Sequence, residues 1–250
     1  MTRLAAVLAM LCLASGCNKN DTGLVQGYVE GEFVYIASPL AGSVEALHVR
    51  RGTQAKAGDP LFALESGRER AARDEALAAL TLSEKEYARQ RQLFQSNLTA
   101  QEAVDRARAL RDQDRERLAQ AEWALAQKRQ AAPAAGLVFD VLYREGEWVP
   151  AGRPVVSLLP PQNIHVRAFV PEPMLGALHP GEAATVFVDG RPEPVIGTIR
   201  FISPRAEYTP PVIYSQESRD KLVFMVEVGF DPGTAARLNP GQPVDVRFGA

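Results

Sequence analysis

Residues 66–130 carry apolar positions at a helical period. Leu80, Tyr87 and Phe94 recur every seven residues, and Val104, Leu118 and Leu125 continue the pattern, with Arg111 interrupting it. The stretch has no proline, its one glycine is Gly67, and Ala, Leu, Glu, Gln and Arg dominate, all strong helix formers. Ser96-Asn97-Leu98-Thr99 breaks it. Thr99 stands as an N-cap with Glu102 three residues on, a capping box. The pattern predicts helices over about 68–95 and 100–130, paired as an antiparallel hairpin, each roughly 42–46 Å long at 1.5 Å per residue. A thin apolar seam with charged flanks describes a coiled coil standing in solvent, not a core helix. Such a hairpin is longer than a small β module needs for stability, so function is expected at its far end.

The sequence on either side repeats. A shift of 94 positions lays residues 39–64 over 133–158 without a gap, with ten identities among 26 positions. They are Pro39/Pro133, Ala41/Ala135, Gly42/Gly136, Val44/Val138, Arg50/Arg144, Gly52/Gly146, Ala57/Ala151, Gly58/Gly152, Pro60/Pro154 and Leu64/Leu158. Each copy reads as a short strand, a glycine turn, an Ala-Gly-x-Pro turn and another apolar strand. Gly52, Gly58, Gly146 and Gly152 are the expected turn positions, where a positive φ is tolerated. One copy is too small to bury an adequate core, so the two should pack on each other.

From residue 161 the pattern shortens into strands. Ile164–Val170 alternates, a brief helix is expected near 174–178, and Pro-Gly turns precede alternating runs at 184–188 and 244–248. Segments 195–202 and 222–228 add strands, and 24–36 adds a strand or a link. An antiparallel barrel of about six strands fits.

Composition excludes more than it assigns. With 46% hydrophobic residues and a net charge of −2, disorder and a large nucleic-acid-binding field are both excluded. Two cysteines and three histidines leave no metal cluster at motif spacing, and His165 and His179 have no nearby second ligand. There is no Gly-x-x-x-x-Gly-Lys-Ser/Thr, Gly-x-Ser-x-Gly or His-Glu-x-x-His, so no catalysis and no cofactor is expected. Arg3 is followed by 13 apolar or small residues, Leu4 to Gly16, ending Leu13-Ala14-Ser15-Gly16 before Cys17. That is a signal peptide over 1–16, too short to span a bilayer, which needs about 20 residues. Its end resembles the lipobox of bacterial lipoproteins, although Leu13 stands one position early. The resemblance implies acylation at Cys17, followed by a polar tether. Asn18 leaves open which membrane holds the anchor.

The divided repeat and its helical insertion resemble the periplasmic adaptor subunits of bacterial efflux and secretion systems, the membrane fusion or HlyD-like secretion proteins. The resemblance spans about 24–250. It implies a mainly β, elongated chain: a split lipoyl-like β-sandwich (37–65 and 132–160), an inserted coiled-coil hairpin (66–131), and a β-barrel domain (161–250) beside segment 17–36. The stretches flanking the insertion, Ala63 to Ser66 and Ala131 to Pro133, lack the lysine of lipoyl carriers. Adaptors that dock a TolC-like outer-membrane channel carry an Arg, a Leu four residues on and a Ser seven later. Arg89 and Leu93 match, and Thr99 stands beside the Ala100 that takes the third place. The resemblance implies channel docking through Arg89, Leu93 and Thr99, a homo-oligomeric ring, and an inner-membrane transporter partner. Glu207-Tyr208-Thr209-Pro210 with Arg219, Leu222 and Phe224 is similar to adaptors of ABC-type exporters, and little chain follows the barrel for a further domain. The alternatives are an adaptor of a proton-driven efflux pump and a periplasmic cargo-binding lipoprotein.

Overall fold

The computed structural model describes residues 23–208 and 222–249. The signal peptide, Cys17, the tether before Gly23, Thr209, Pro210 and Arg219 lie outside them. The chain divides into two compact units, one made of residues up to Glu30 and from His165 onward, the other of Gly31–Ile164.

After β1 (Leu24–Gly31) the chain builds the Gly31–Ile164 unit. It runs through β2 (Val34–Ala37), β3 (Gly42–Leu47), β4 (Gln54–Ala55), β5 (Pro60–Leu64), α1 (Gly67–Gln95), α2 (Gln101–Ala126), β6 (Arg129–Ala131), β7 (Gly136–Val141), β8 (Trp148–Val149) and β9 (Pro154–Leu159). Two four-stranded sheets result, ordered β2-β9-β7-β4 and β6-β5-β3-β8. The middle strand of each repeat is exchanged: β4 pairs with β7 of the second copy, and β8 with β3 of the first. Between the sheets lie Ile36, Val44, Leu61, Phe62, Leu64, Val138, Val149, Val156 and Leu158, all buried. Full burial of such side chains contributes about 1.5–3 kcal/mol each. Exchange makes this core common property of both copies, so neither half holds a complete core by itself.

The repeat extends further than its identities. Strand β2 precedes the first copy as β6 precedes the second, and they bind β9 and β5 respectively. Two expectations change as a result. Val34 and Ile36 belong to the sandwich, not to a barrel strand, because Ile36 packs into the sandwich core. The second helix ends at Ala126, not 130, because Arg129–Ala131 is taken up by the edge of β5.

The seam of the hairpin is more polar than its heptad apolar residues suggest. Leu80 and Val104 are buried, but so are Ser83, Ala107 and Asp114. Arg111 is no gap in the seam: its guanidinium lies 4.5 Å from the centre of the Tyr87 ring, a cation–π contact. Asp114 pairs with Arg117 at 3.1 Å. Phe94, expected in the seam, is 40% exposed.

The other unit is a closed six-stranded barrel, ordered β1-β10-β13-β12-β11-β14. Its remaining strands are β10 (Ile164–Pro171), β11 (Ala183–Val188), β12 (Val195–Tyr208), β13 (Leu222–Gly229) and β14 (Pro243–Phe248). Short helices α3 (Glu172–Leu175) and α4 (Pro232–Ala235) follow β10 and β13, α3 starting two residues before the expected 174. Alternation buries Val166, Ala168, Val170, Val186, Val188, Val226, Val228, Val244 and Val246. Closure depends on Gly27, where a Cβ would stand 2.5 Å from the Arg167 carbonyl oxygen. Opposite it, Arg167 Nε lies 2.8 Å and His165 Nε2 3.4 Å from one Glu30 oxygen. Burial works against the Arg167 charge, but the Tyr28 bond and the Glu30 carboxylate outweigh it, and its pKa is raised.

Candidate functional site

The tip of the hairpin is built by helix termination. Asn97 takes the left-handed conformation at φ 58°. Leu98 N donates to Leu93 O at 2.8 Å, and Asn97 N to Phe94 O at 2.9 Å. This is a Schellman closure, which satisfies the last carbonyls of α1 and reverses the chain; asparagine tolerates the required conformation. The N-cap of α2 is Ala100, with no side-chain cap. Thr99 does not form the expected capping box, because its hydroxyl donates to Gln90 Oε1 at 3.2 Å across the hairpin.

The three residues expected at the docking site differ in availability. Arg89 is exposed and paired with Glu86 one turn earlier. Bonds from Gln90 and then Arg89 hold the Glu86 carboxyl below its usual range. Leu93 is half-buried, with its backbone engaged in the tip closure. Thr99 is half-buried and its hydroxyl is bound to Gln90. Arg89 and Leu93 stand one helical turn apart, as their spacing requires. The most exposed apolar side chain at the tip is one sequence reasoning did not select: Leu98, 72% exposed, beside Phe94. An apolar residue at the apex of a tight turn was the available signal.

The base of the hairpin holds a second unselected residue. Lys128 is buried, and its ammonium donates to Ala41 O at 2.7 Å and pairs with Glu69 at 3.1 Å. Ser38 Oγ donates to Gln127 O at 2.8 Å, and Leu64 N to Lys128 O at 2.7 Å. Lys128 thus ties the end of α2 to the start of α1 and to the sandwich. A lysine does lie near the carrier position, but its amine is enclosed and engaged. Among the described residues no cluster of His, Cys, Asp and Glu could hold a metal ion. His179 pairs with Glu182 at 3.1 Å in an exposed turn. No helix among the described residues is long and apolar enough to cross a membrane.

No family model matches the chain. Among curated proteins, a UPF0194 membrane protein of Yersinia pestis is 36% identical over 118 residues, which cover 47% of this chain and 36% of that protein. The UPF0194 membrane protein YbhG of Salmonella gallinarum is 35% identical over 118 residues, 47% of this chain and 35% of that one. The chain spans about a third of the length of these relatives. A MacA–MexA chimeric protein carrying the Pseudomonas aeruginosa MexA α-hairpin domain superposes with TM-score 0.76 at 17% identity, covering 90% of this chain and 77% of that one. The membrane fusion protein Spr0693 of Streptococcus pneumoniae does so with TM-score 0.69 at 18% identity, covering 91% and 98%. MacA of Actinobacillus actinomycetemcomitans gives 0.60 at 15% identity, covering 90% and 78%. The chain has the fold of these solved structures: a mainly β chain with an inserted helical hairpin.

Proposed function

We propose that this chain is a lipid-anchored periplasmic adaptor that couples an inner-membrane transporter to an outer-membrane channel for efflux or secretion. The observation that carries the reading is the insertion of a long antiparallel hairpin between the two halves of one sandwich, pinned at its base by Lys128 and ending in an exposed Leu98. A hairpin so held transmits position from sandwich to tip. Its solvent-facing length does nothing for the core, so its natural use is reach.

Acylation at Cys17 holds the chain at a membrane, and several copies form a ring around the transport path. At the tip, Arg89 donates to carbonyls or carboxylates of the channel and Leu93 fills an apolar groove, with Leu98 and Phe94 beside it; Thr99 shapes the turn. The transporter partner is of ABC type, on the strength of the segment from Glu207 through Phe224. The chain performs no chemistry; the partner supplies the energy. Purification of the tagged chain from membranes tests this. An ABC permease and a channel should copurify, and Leu93→Asp should lose the channel while keeping the permease. Copurification of a proton-driven pump would replace the partner. Retention of both channel and export activity in Leu93→Asp would refute the docking assignment.

A further inference from the structure

The internal repeat supplies its own control for what the sandwich needs. On one sheet, Arg129 pairs with Ala63, and Glu45 occupies the bulge between Val44 and Ala46. On the other, Tyr35 pairs with Ser157, and Phe139 occupies the bulge between Val138 and Asp140. The 94-residue shift relates Tyr35 to Arg129, Ser157 to Ala63 and Phe139 to Glu45. These are equivalent outward positions on one backbone, even to the bulge, yet one row is charged and the other aromatic.

The aromatic row is not required by the fold, because the same positions in the other copy accept Arg and Glu. Tyr35 is nevertheless 61% exposed and Phe139 37%. Phe33 packs against Phe139, ring centres 4.3 Å apart, and Ser157 is buried beneath. Large rings left in water on a sheet face mark a contact surface. Arg129 and Glu45 are exposed and make no ion pair among the described residues. The two rows are complementary: a guanidinium can lie over an aromatic ring, as Arg111 does over Tyr87, and a tyrosine hydroxyl can donate to a carboxylate.

We propose that the Tyr35–Phe139 face of one copy docks on the Arg129–Glu45 face of a second copy of this chain. The two faces are the outer surfaces of opposite sheets of one sandwich. The contact is therefore head-to-tail and leaves a free face at each end, the kind of interface that closes into a ring when the rotation allows. The inference rests on the assembly part of the adaptor reading and gives that assembly its surface.

The test uses the full-length lipoprotein in detergent, with mass read by sedimentation. One variant, Tyr35→Arg with Phe139→Glu, gives the aromatic face the residues of the charged one, which this backbone already carries. A second, Arg129→Glu, spoils the charged face alone. Unchanged unfolding midpoints establish that both are folded; if the first is not, Tyr35→Arg alone replaces it. Wild type should self-associate and each variant alone should be monomeric. Mixed in equal amounts, the two variants have one intact contact between them and should stop at twice the monomer mass. A mixture that stays monomeric, a wild type that never associates, or assembly that survives in Arg129→Glu alone would overturn the proposal. Wild type that assembles by this contact but copurifies neither transporter nor channel would contradict the adaptor reading and leave the contact standing. The converse result would leave the adaptor reading standing without it.

Discussion

Gly52 N donates to Val138 O at 2.8 Å, and 94 residues on, Gly146 N donates to Val44 O at the same distance. Both glycines sit in the left-handed region, at φ 86° and 88°. Each first-copy turn is thus anchored on the second copy and the reverse. The same reciprocity links Gly58 N to Ala132 O and Gly152 N to Ser38 O, both 2.8 Å. Open space surrounds the Cβ positions of Gly52 and Gly146, so strain alone decides the effect of a side chain there. Gly52→Ala and Gly146→Ala should each cost about 1–2 kcal/mol, and by similar amounts. Urea unfolding of the two variants checks this; a large difference between them would contradict the reciprocity.

Lys128 carries a different expectation. Lys128→Met leaves the Glu69 carboxylate without its cation and the Ala41 carbonyl without its donor. The loss should be about 2–4 kcal/mol. Adding Glu69→Gln removes the stranded charge and should recover part of it. A double-mutant cycle read by denaturant unfolding gives the coupling between the two, and additive losses would show that the pair does not act as a unit.

The division of what the sequence makes legible follows from what a pattern can encode. Ten identities at one spacing reveal two copies, and the glycines among them mark turns. Nothing in that spacing reveals that β4 and β8 are exchanged, because a strand of two residues has no pattern of its own. The helices are visible in their heptads, but the end of α2 is set by a tertiary partner: Arg129–Ala131 becomes a strand because β5 has a free edge. Ser83 and Asp114 are polar by type, yet the seam buries both. Thr99 fits a capping box by spacing, yet its hydroxyl turns to Gln90, a partner nine residues back on the other helix. Lys128 is one charge among many in its stretch of sequence, and only packing shows it enclosed.

The barrel offers a test in pH. Asp231 caps α4, accepting from Gly233 N at 3.0 Å and Thr234 N at 3.1 Å. The Thr234 side-chain bond first, then these backbone bonds, hold its carboxyl below the usual range. A carboxyl depressed in the folded state stabilises above its unfolded value, and the contribution disappears as pH falls through the folded value. Asp231→Ala should therefore lower the unfolding midpoint at neutral pH, and its gap from wild type should close in strong acid. A gap that is constant with pH would assign the effect to something other than the cap.

The anchor is tested by fractionation. Cys17→Ala should release the chain into the soluble periplasmic fraction, since it removes the only site proposed to carry acyl chains. Continued membrane association at high salt would contradict lipid anchoring at Cys17.

Contact between the hairpin tip and a channel is most directly read at Leu98. A photo-reactive amino acid at position 98, activated in living cells, should form a covalent adduct with an outer-membrane channel protein, identified by mass spectrometry. The same probe at exposed Leu82, midway along α1, should form far less. Adducts at position 98 only with inner-membrane or soluble proteins, or equal channel adducts from both positions, would contradict a docking tip.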